Sequence, residues 1–124
     1  MMIADAQVHL WGADTPGRPW PKVAHSYAHR DVALGTAERV AEMNAAGVDR
    51  AVIVPPSWEG DRNDLALEVC RPHPGQFAIM GQVPVAPVTP EKLATWRDQP
   101  GFLGPRFTVR PKHTWLRNEL GWPI

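Results

Sequence analysis

Asp5, Gln7 and His9 stand two residues apart in an otherwise aliphatic stretch, Ile3-Ala4-Asp5-Ala6-Gln7-Val8-His9-Leu10-Trp11. Successive side chains of an extended chain point to opposite faces. The spacing therefore predicts a strand with Asp5, Gln7 and His9 on one side and Ala4, Ala6, Val8 and Leu10 on the other. An acid, an amide and an imidazole make a poor core but a sensible set of polar groups at the mouth of a barrel. Gln7 in that place either contacts substrate or water or serves as an interior hydrogen-bond partner. His9 either acts on a ligand or is a structural hydrogen-bonder at a strand end. Asp5, deeper in the strand, either orients a neighbouring side chain or pairs with a backbone amide.

Other residues of chemical interest are scattered. His25 and His29 have the i, i+4 spacing of metal ligands if helical, but prolines lie nearby and no acidic partner follows. Glu59, in a loop with Ser57, Trp58 and Asp61, has the chemistry of an acid or base; an exposed loop carboxylate is the plainer expectation. Cys70 reads as a small buried residue and not as a nucleophile. Trp11 and Trp20 either wall a pocket or pack a long loop. The chain carries no Gly-x-Gly-x-x-Gly, no phosphate loop, no Gly-x-Ser-x-Gly and no Cys-x-x-Cys.

The elements that must position these residues alternate. Strand one is expected over residues 3–10, followed by a long loop to Gly35 containing Pro16, Pro19 and Pro21. Thr36 is expected to cap a helix whose stripe is Ala37, Val40, Ala41 and Met43, with Gly47 at its end. Arg50 to Val54 is β-branched and stopped by Pro55-Pro56, the mark of a buried strand. Asp61 is a second expected cap, before a helix using Leu65, Ala66 and Val69. Phe77 to Val83, stopped by Pro84, is strand three. Thr89-Pro90 is a helix start with proline at the first helical position, and Leu93 and Trp96 are expected to face inward. Phe102 to Val109 is the fourth strand, with Pro105 as an irregularity. The order βαβαβαβ predicts an α/β fold of about four βα units, with parallel strands and outer helices. Arg110 to Ile124 yields no definite element.

Composition narrows the class. The 124 residues are expected to form one partial-barrel domain, 1–124, about half of a (β/α)8 barrel of roughly 250 residues. Lys plus Arg and Asp plus Glu number 13 each. That balance points away from nucleic acid and anionic membranes as partners. A single cysteine excludes disulfides within the chain and suits a reducing cytosol. No apolar run approaches the roughly 18 residues of a spanning helix, and no signal peptide is expected. A cytoplasmic protein acting on a small molecule fits these features.

The first strand resembles the opening strand of the amidohydrolase superfamily, in the amidohydrolase-related branch of lactonases and decarboxylases, which begins Asp-x-His-x-His. Here the stretch reads Asp5-Ala6-Gln7-Val8-His9-Leu10-Trp11. The resemblance extends through Ala45-Ala46-Gly47-Val48-Asp49-Arg50-Ala51-Val52-Ile53-Val54, Asn63-Asp64, His73-Pro74-Gly75-Gln76-Phe77 and Gly101-Phe102-Leu103-Gly104-Pro105-Arg106. It implies the N-terminal half of a TIM barrel with its site at the C-terminal strand ends. It implies a divalent metal, zinc first, on the first-strand pair Gln7 and His9; residues two apart lie roughly 6.6–7 Å from each other, near enough to share one ion. Gln7 replaces the first histidine and is the weaker ligand. The implied activity is hydrolysis of a lactone or amide-like bond, with decarboxylation as the alternative. His9 and Gln7 would hold metal or water, and Arg106 and Trp11 would bind substrate, the guanidinium gripping a carboxylate. Two further possibilities belong to another class: a non-catalytic fragment, or a half-barrel that assembles with another chain, a second copy included. In an open half, Ile53, Ile79 and Phe107 are expected to face water unless covered.

Overall fold

Four short β-rich runs, each followed by a helical stripe, form in the computed structural model a parallel sheet in strict chain order, β1-β2-β3-β4. The structure describes residues 1–28, 30, 32–83 and 89–108. His29, Pro84 and the segment 110–124 lie outside the described residues. The strands are β1 (Ala4–Val8), β2 (Arg50–Ile53), β3 (Phe77–Gln82) and β4 (Phe102–Arg106). The helices are α1 (Ala24–Tyr27), α2 (Thr36–Ala46), α3 (Asp64–Cys70) and α4 (Pro90–Ala94), with 3₁₀ turns at Ser57–Glu59 and Trp96–Asp98. Parallel neighbours joined in sequence need right-handed crossovers, and these place α2, α3 and α4 on one face of the sheet. That arrangement is one half of a (β/α)8 barrel.

The core lies between the sheet and the helices. Ala51, Ile53, Phe77, Ile79 and Phe102 from the strands join Met43, Ala66, Val69, Cys70 and Trp96 in one buried cluster. Ile53 and Ile79 are fully buried at 0% exposure, whereas Phe107 is 44% exposed. The expectation of water-facing strand residues thus holds for Phe107 alone; the two isoleucines point to the helix layer. Leu93 is likewise exposed, and Trp96 turns inward from the 3₁₀ turn beyond α4, where its ring meets Phe102 edge-on at 5.2 Å.

β1 departs from simple alternation. Its ladder runs Ala4↔Arg50, Asp5↔Ala51, then Val8↔Ile53, so three steps on β1 match two on β2. The extra residue is a bulge. Laterally paired residues share a face, so Asp5 lies on the side of Ala51 and Val8, while Gln7 and His9 lie on the opposite, helix-free side. Asp5 therefore does not share a face with Gln7 and His9. Its carboxylate turns back to accept the Gln7 backbone N–H at 3.0 Å, which satisfies a donor that the bulge removes from the ladder. Ala4 and Ala6 are exposed, because β1 is an edge strand with cover only near its end.

Helix ends shift by one or two residues from expectation. Gly35, not Thr36, caps α2, with the Glu38 carboxylate returning to the Gly35 N–H at 3.2 Å. Gly47 closes the helix at φ 68°, where glycine alone is unstrained. Ala37 and Ala41 are exposed, leaving Val40 and Met43 as the packing side. Asn63, not Asp61, precedes α3. The long loop is ordered by its own small core: Trp11 and Leu34 form an antiparallel bridge at its base, and Trp20 and Ala24 are buried within it. Pro105 sits on β4, an edge strand, where a missing donor is tolerated.

Gly81 faces the packed layer so closely that a Cβ would lie 2.3 Å from Phe102 Cε1 and 2.9 Å from Trp96 Cζ2. Gly81→Ala should lower stability by about 1–3 kcal/mol through overpacking, read as a reduced urea midpoint. Gly104→Ala, whose Cβ would meet only Met80 at 3.5 Å, should be neutral or stabilising by up to about 1 kcal/mol.

Candidate functional site

The helix-free face collects polar side chains at the C-terminal ends of β1, β3 and β4. Their common support is the end of β2. Pro55 and Pro56 remove two backbone donors, but the carbonyls before them remain acceptors. Val54 O receives His9 Nδ1–H at 2.6 Å. Pro55 O receives Gln82 Nε2–H at 2.7 Å and Arg106 Nη1–H at 3.1 Å. Consecutive carbonyls of an extended chain point to opposite sides, so one strand end holds β1's imidazole on one flank and the side chains of β3 and β4 on the other.

The geometry fixes the state of His9. Nδ1 faces a carbonyl, which accepts and cannot donate, so Nδ1 carries the proton. In the neutral ring the Nε2 lone pair is then an acceptor, and the Gln7 Nε2–H donates to it at 3.4 Å. Gln7 and His9 therefore do meet on one face. From the helix layer, Arg39 Nη2 donates to the His9 carbonyl at 3.1 Å. Arg39 is in turn braced by Glu42, which also takes Arg30 from the long loop. His9 is thus held by its ring on one side of the sheet and by its backbone carbonyl from the other.

Gln82 and Arg106 are lateral partners in the β3–β4 ladder. Gln82 is 5% exposed, one of two buried polar residues in the described chain. Its backbone is gripped by Asn63, whose Oδ1 accepts the Gln82 N–H at 2.8 Å and whose Nδ2 donates to the Gln82 carbonyl at 2.9 Å. Asn63 acts here as a one-residue strand. Sequence reading missed Gln82, because a glutamine at the end of Phe77-Ala78-Ile79-Met80-Gly81 resembles a strand terminus; its pairing with Arg106 emerges only from the sheet register.

Trp11 does not line the site. It is 2% exposed, its Nε1–H donates to Val32 O at 2.9 Å, and its ring meets Trp58 edge-on at 5.9 Å. It is core for the long loop, because burial of a large indole at the loop's base is what orders the segment. Glu59 is also not the exposed carboxylate expected. It is buried and accepts the Gly12 N–H at 3.3 Å and Arg18 Nη1–H at 2.9 Å. Arg18 also pairs with Asp64 at the start of α3. These pairs tie the loop after β1 to the segment after β2 and floor a cavity of about 300 Å³ lined by Trp20, Trp58, Asp61 and Arg62 among others. With both carboxylate oxygens engaged, Glu59 is a structural anchor. His25 lies 3.7 Å from Asp14 and packs on Trp20, an upstream acidic partner that the sequence spacing did not suggest. Burial pushes the Cys70 thiol up to about 11, which suits packing and not nucleophilic attack.

For a divalent metal the described donors do not suffice. His9 Nε2 is one imidazole lone pair and Gln7 offers a neutral amide, whereas a zinc site needs three protein ligands or more. Among the described residues, no group of three His, Cys, Asp or Glu side chains lies close enough to hold an ion.

Residues 4–124 match the amidohydrolase family Amidohydro_2. The crystal structure of a probable 2-pyrone-4,6-dicarboxylic acid hydrolase from Acinetobacter baumannii, with citric acid bound, is similar in fold. The TM-score is 0.65 at 19% identity, over 98% of this chain and 48% of that one. This chain thus spans about half the length of that structure. No curated protein matches.

Two measurements follow from the buried groups. Arg18→Met, which leaves Glu59 buried without its cation, should cost on the order of 3 kcal/mol in urea unfolding. Native Cys70 should resist a thiol-specific disulfide reagent at pH 8, while the unfolded chain titrates its one thiol. Because folding favours the neutral thiol, its contribution is complete below the ordinary 9.0 and is lost as pH rises from about 9 to about 11.

Proposed function

Because the chain belongs to the amidohydrolase family, matched over residues 4–124, we propose that it forms the N-terminal half of a hydrolase acting on a small lactone that carries a carboxylate. The observation that carries this reading is the convergence of His9, Gln82 and Arg106 on the two carbonyls at the end of β2, with the Gln7 amide set against His9. Arg106 uses one guanidinium N–H on Pro55 O and keeps others for a substrate carboxylate, which it can grip by two parallel bonds. His9 and Gln7 hold water: the Gln7 amide, which donates one N–H to His9 Nε2, keeps its second N–H and its Oε1 for a water beside the ring. In the reaction the water oxygen bonds to the lactone carbonyl carbon, the ring C–O bond breaks, and the released oxygen takes a proton, giving a hydroxy acid. The charged acid or base that completes this exchange belongs to the second half of such a barrel. The likeness to a dicarboxylic acid hydrolase supports a carboxylated lactone as the substrate class.

A second reading rests on the open edges. Among the described residues β1 and β4 each have one neighbour in the sheet, and the chain spans 48% of the matched structure. On this reading the chain's role is to close a barrel with a second (βα)4 half, on the same polypeptide or another, a second copy included. Sedimentation of the purified chain as a monomer at tens of micromolar would sink self-assembly.

The hydrolase reading is tested in a barrel with both halves present, by a proton-release assay with small lactones, carboxylated and not. Carboxylated lactones should be preferred. Arg106→Gln should raise KM about tenfold or more, and His9→Ala should lower kcat by about a hundredfold or more. Equal turnover of both lactone classes, or a KM unmoved by Arg106→Gln, overturns the assignment.

A further inference from the structure

We infer that Gln82 is a specificity-determining residue: its amide oxygen accepts a hydrogen bond from a hydroxyl adjacent to the carboxylate held by Arg106, so the site prefers hydroxy-carboxylates to plain ones. This rests on the carboxylate reading of Arg106 given above. A buried amide is costly unless its polar atoms are used, and Gln82 at 5% exposure is such a group. Its orientation is settled by Pro55 O, which takes the Nε2–H at 2.7 Å. A flipped amide would set two acceptor oxygens against each other. Oε1 is therefore the free end. No described residue donates to it, and it is not among the sealed, unpartnered polar atoms of the core.

The neighbour matters equally. Arg106, paired laterally with Gln82, donates to the same Pro55 oxygen at 3.1 Å. One carbonyl thus holds a guanidinium with donors to offer and an amide with an acceptor to offer, side by side. A plain carboxylate answers only the first. A group bearing a carboxylate and a hydroxyl on adjacent carbons answers both, and leaving the acceptor unmatched is what penalises the analogue without the hydroxyl. Lactone opening itself creates a hydroxy acid, so the same acceptor suits a hydroxylated substrate and its product.

The test is calorimetric titration of the purified chain with D-malate, L-malate and succinate, which differ by one hydroxyl and its hand. One malate enantiomer should bind about tenfold tighter than succinate. Gln82→Met should abolish that preference; the Asn63 grip is on backbone atoms, so the strand end keeps its support, and circular dichroism checks the fold. Equal binding of malates and succinate to the unaltered chain overturns the role of Gln82 and leaves Arg106 standing. A preference that survives Gln82→Met does the same. Binding of no diacid overturns the carboxylate reading of Arg106 and this inference with it.

Discussion

The site depends on two carbonyl oxygens that have no backbone donor to meet. A strand in mid-sheet normally satisfies its C=O groups with neighbouring N–H groups. The ladder of β2 stops at Ile53, and Pro55 and Pro56, which have no N–H to exchange, cannot extend it. The orphaned oxygens of Val54 and Pro55 are then filled by side chains from the strands on either side: His9 from β1, Gln82 from β3 and Arg106 from β4. Satisfying the backbone and orienting the polar groups are the same event. The tautomer of His9 and the direction of the Gln82 amide both follow from it.

Around that centre, the supporting contacts come from outside the sheet. Arg39 reaches through from α2 to the carbonyl of His9, and Asn63 stands beside the end of β3 as a substitute strand. The loops are held separately. Gly12 lets Arg18 lie across it, since a Cβ there would come within 2.6 Å of Arg18 Cδ. Arg18 then bridges the buried Glu59 and the exposed Asp64. Pairing a buried carboxylate contributes little net stability, but it leaves the loop after β1 one position over the strand ends.

The order of elements was legible because periodicity reports burial: the β-branched run at Arg50 to Ile53 and the glycine stop at Gly47 needed no tertiary information. The family was legible in the first strand even with Gln7 in place of a histidine. What the sequence concealed were the features that depend on a neighbour. The bulge in β1 arises from its register against β2, and it moves Asp5 to the other face although the spacing Asp5, Gln7, His9 is perfectly even. Glu59 looks like any loop acid until Arg18, 41 residues earlier, covers it. Trp11 looks like a pocket wall until Leu34 closes the loop over it. Gln82 acquires meaning only through Pro55 and Arg106.

Asn63 stands immediately before α3 and grips both backbone atoms of the residue that ends β3. The helix and that strand end are consequently one mechanical piece. A rigid tilt of α3 would act as a lever on the wall of the chamber, carrying the Gln82 amide relative to the imidazole on the far flank.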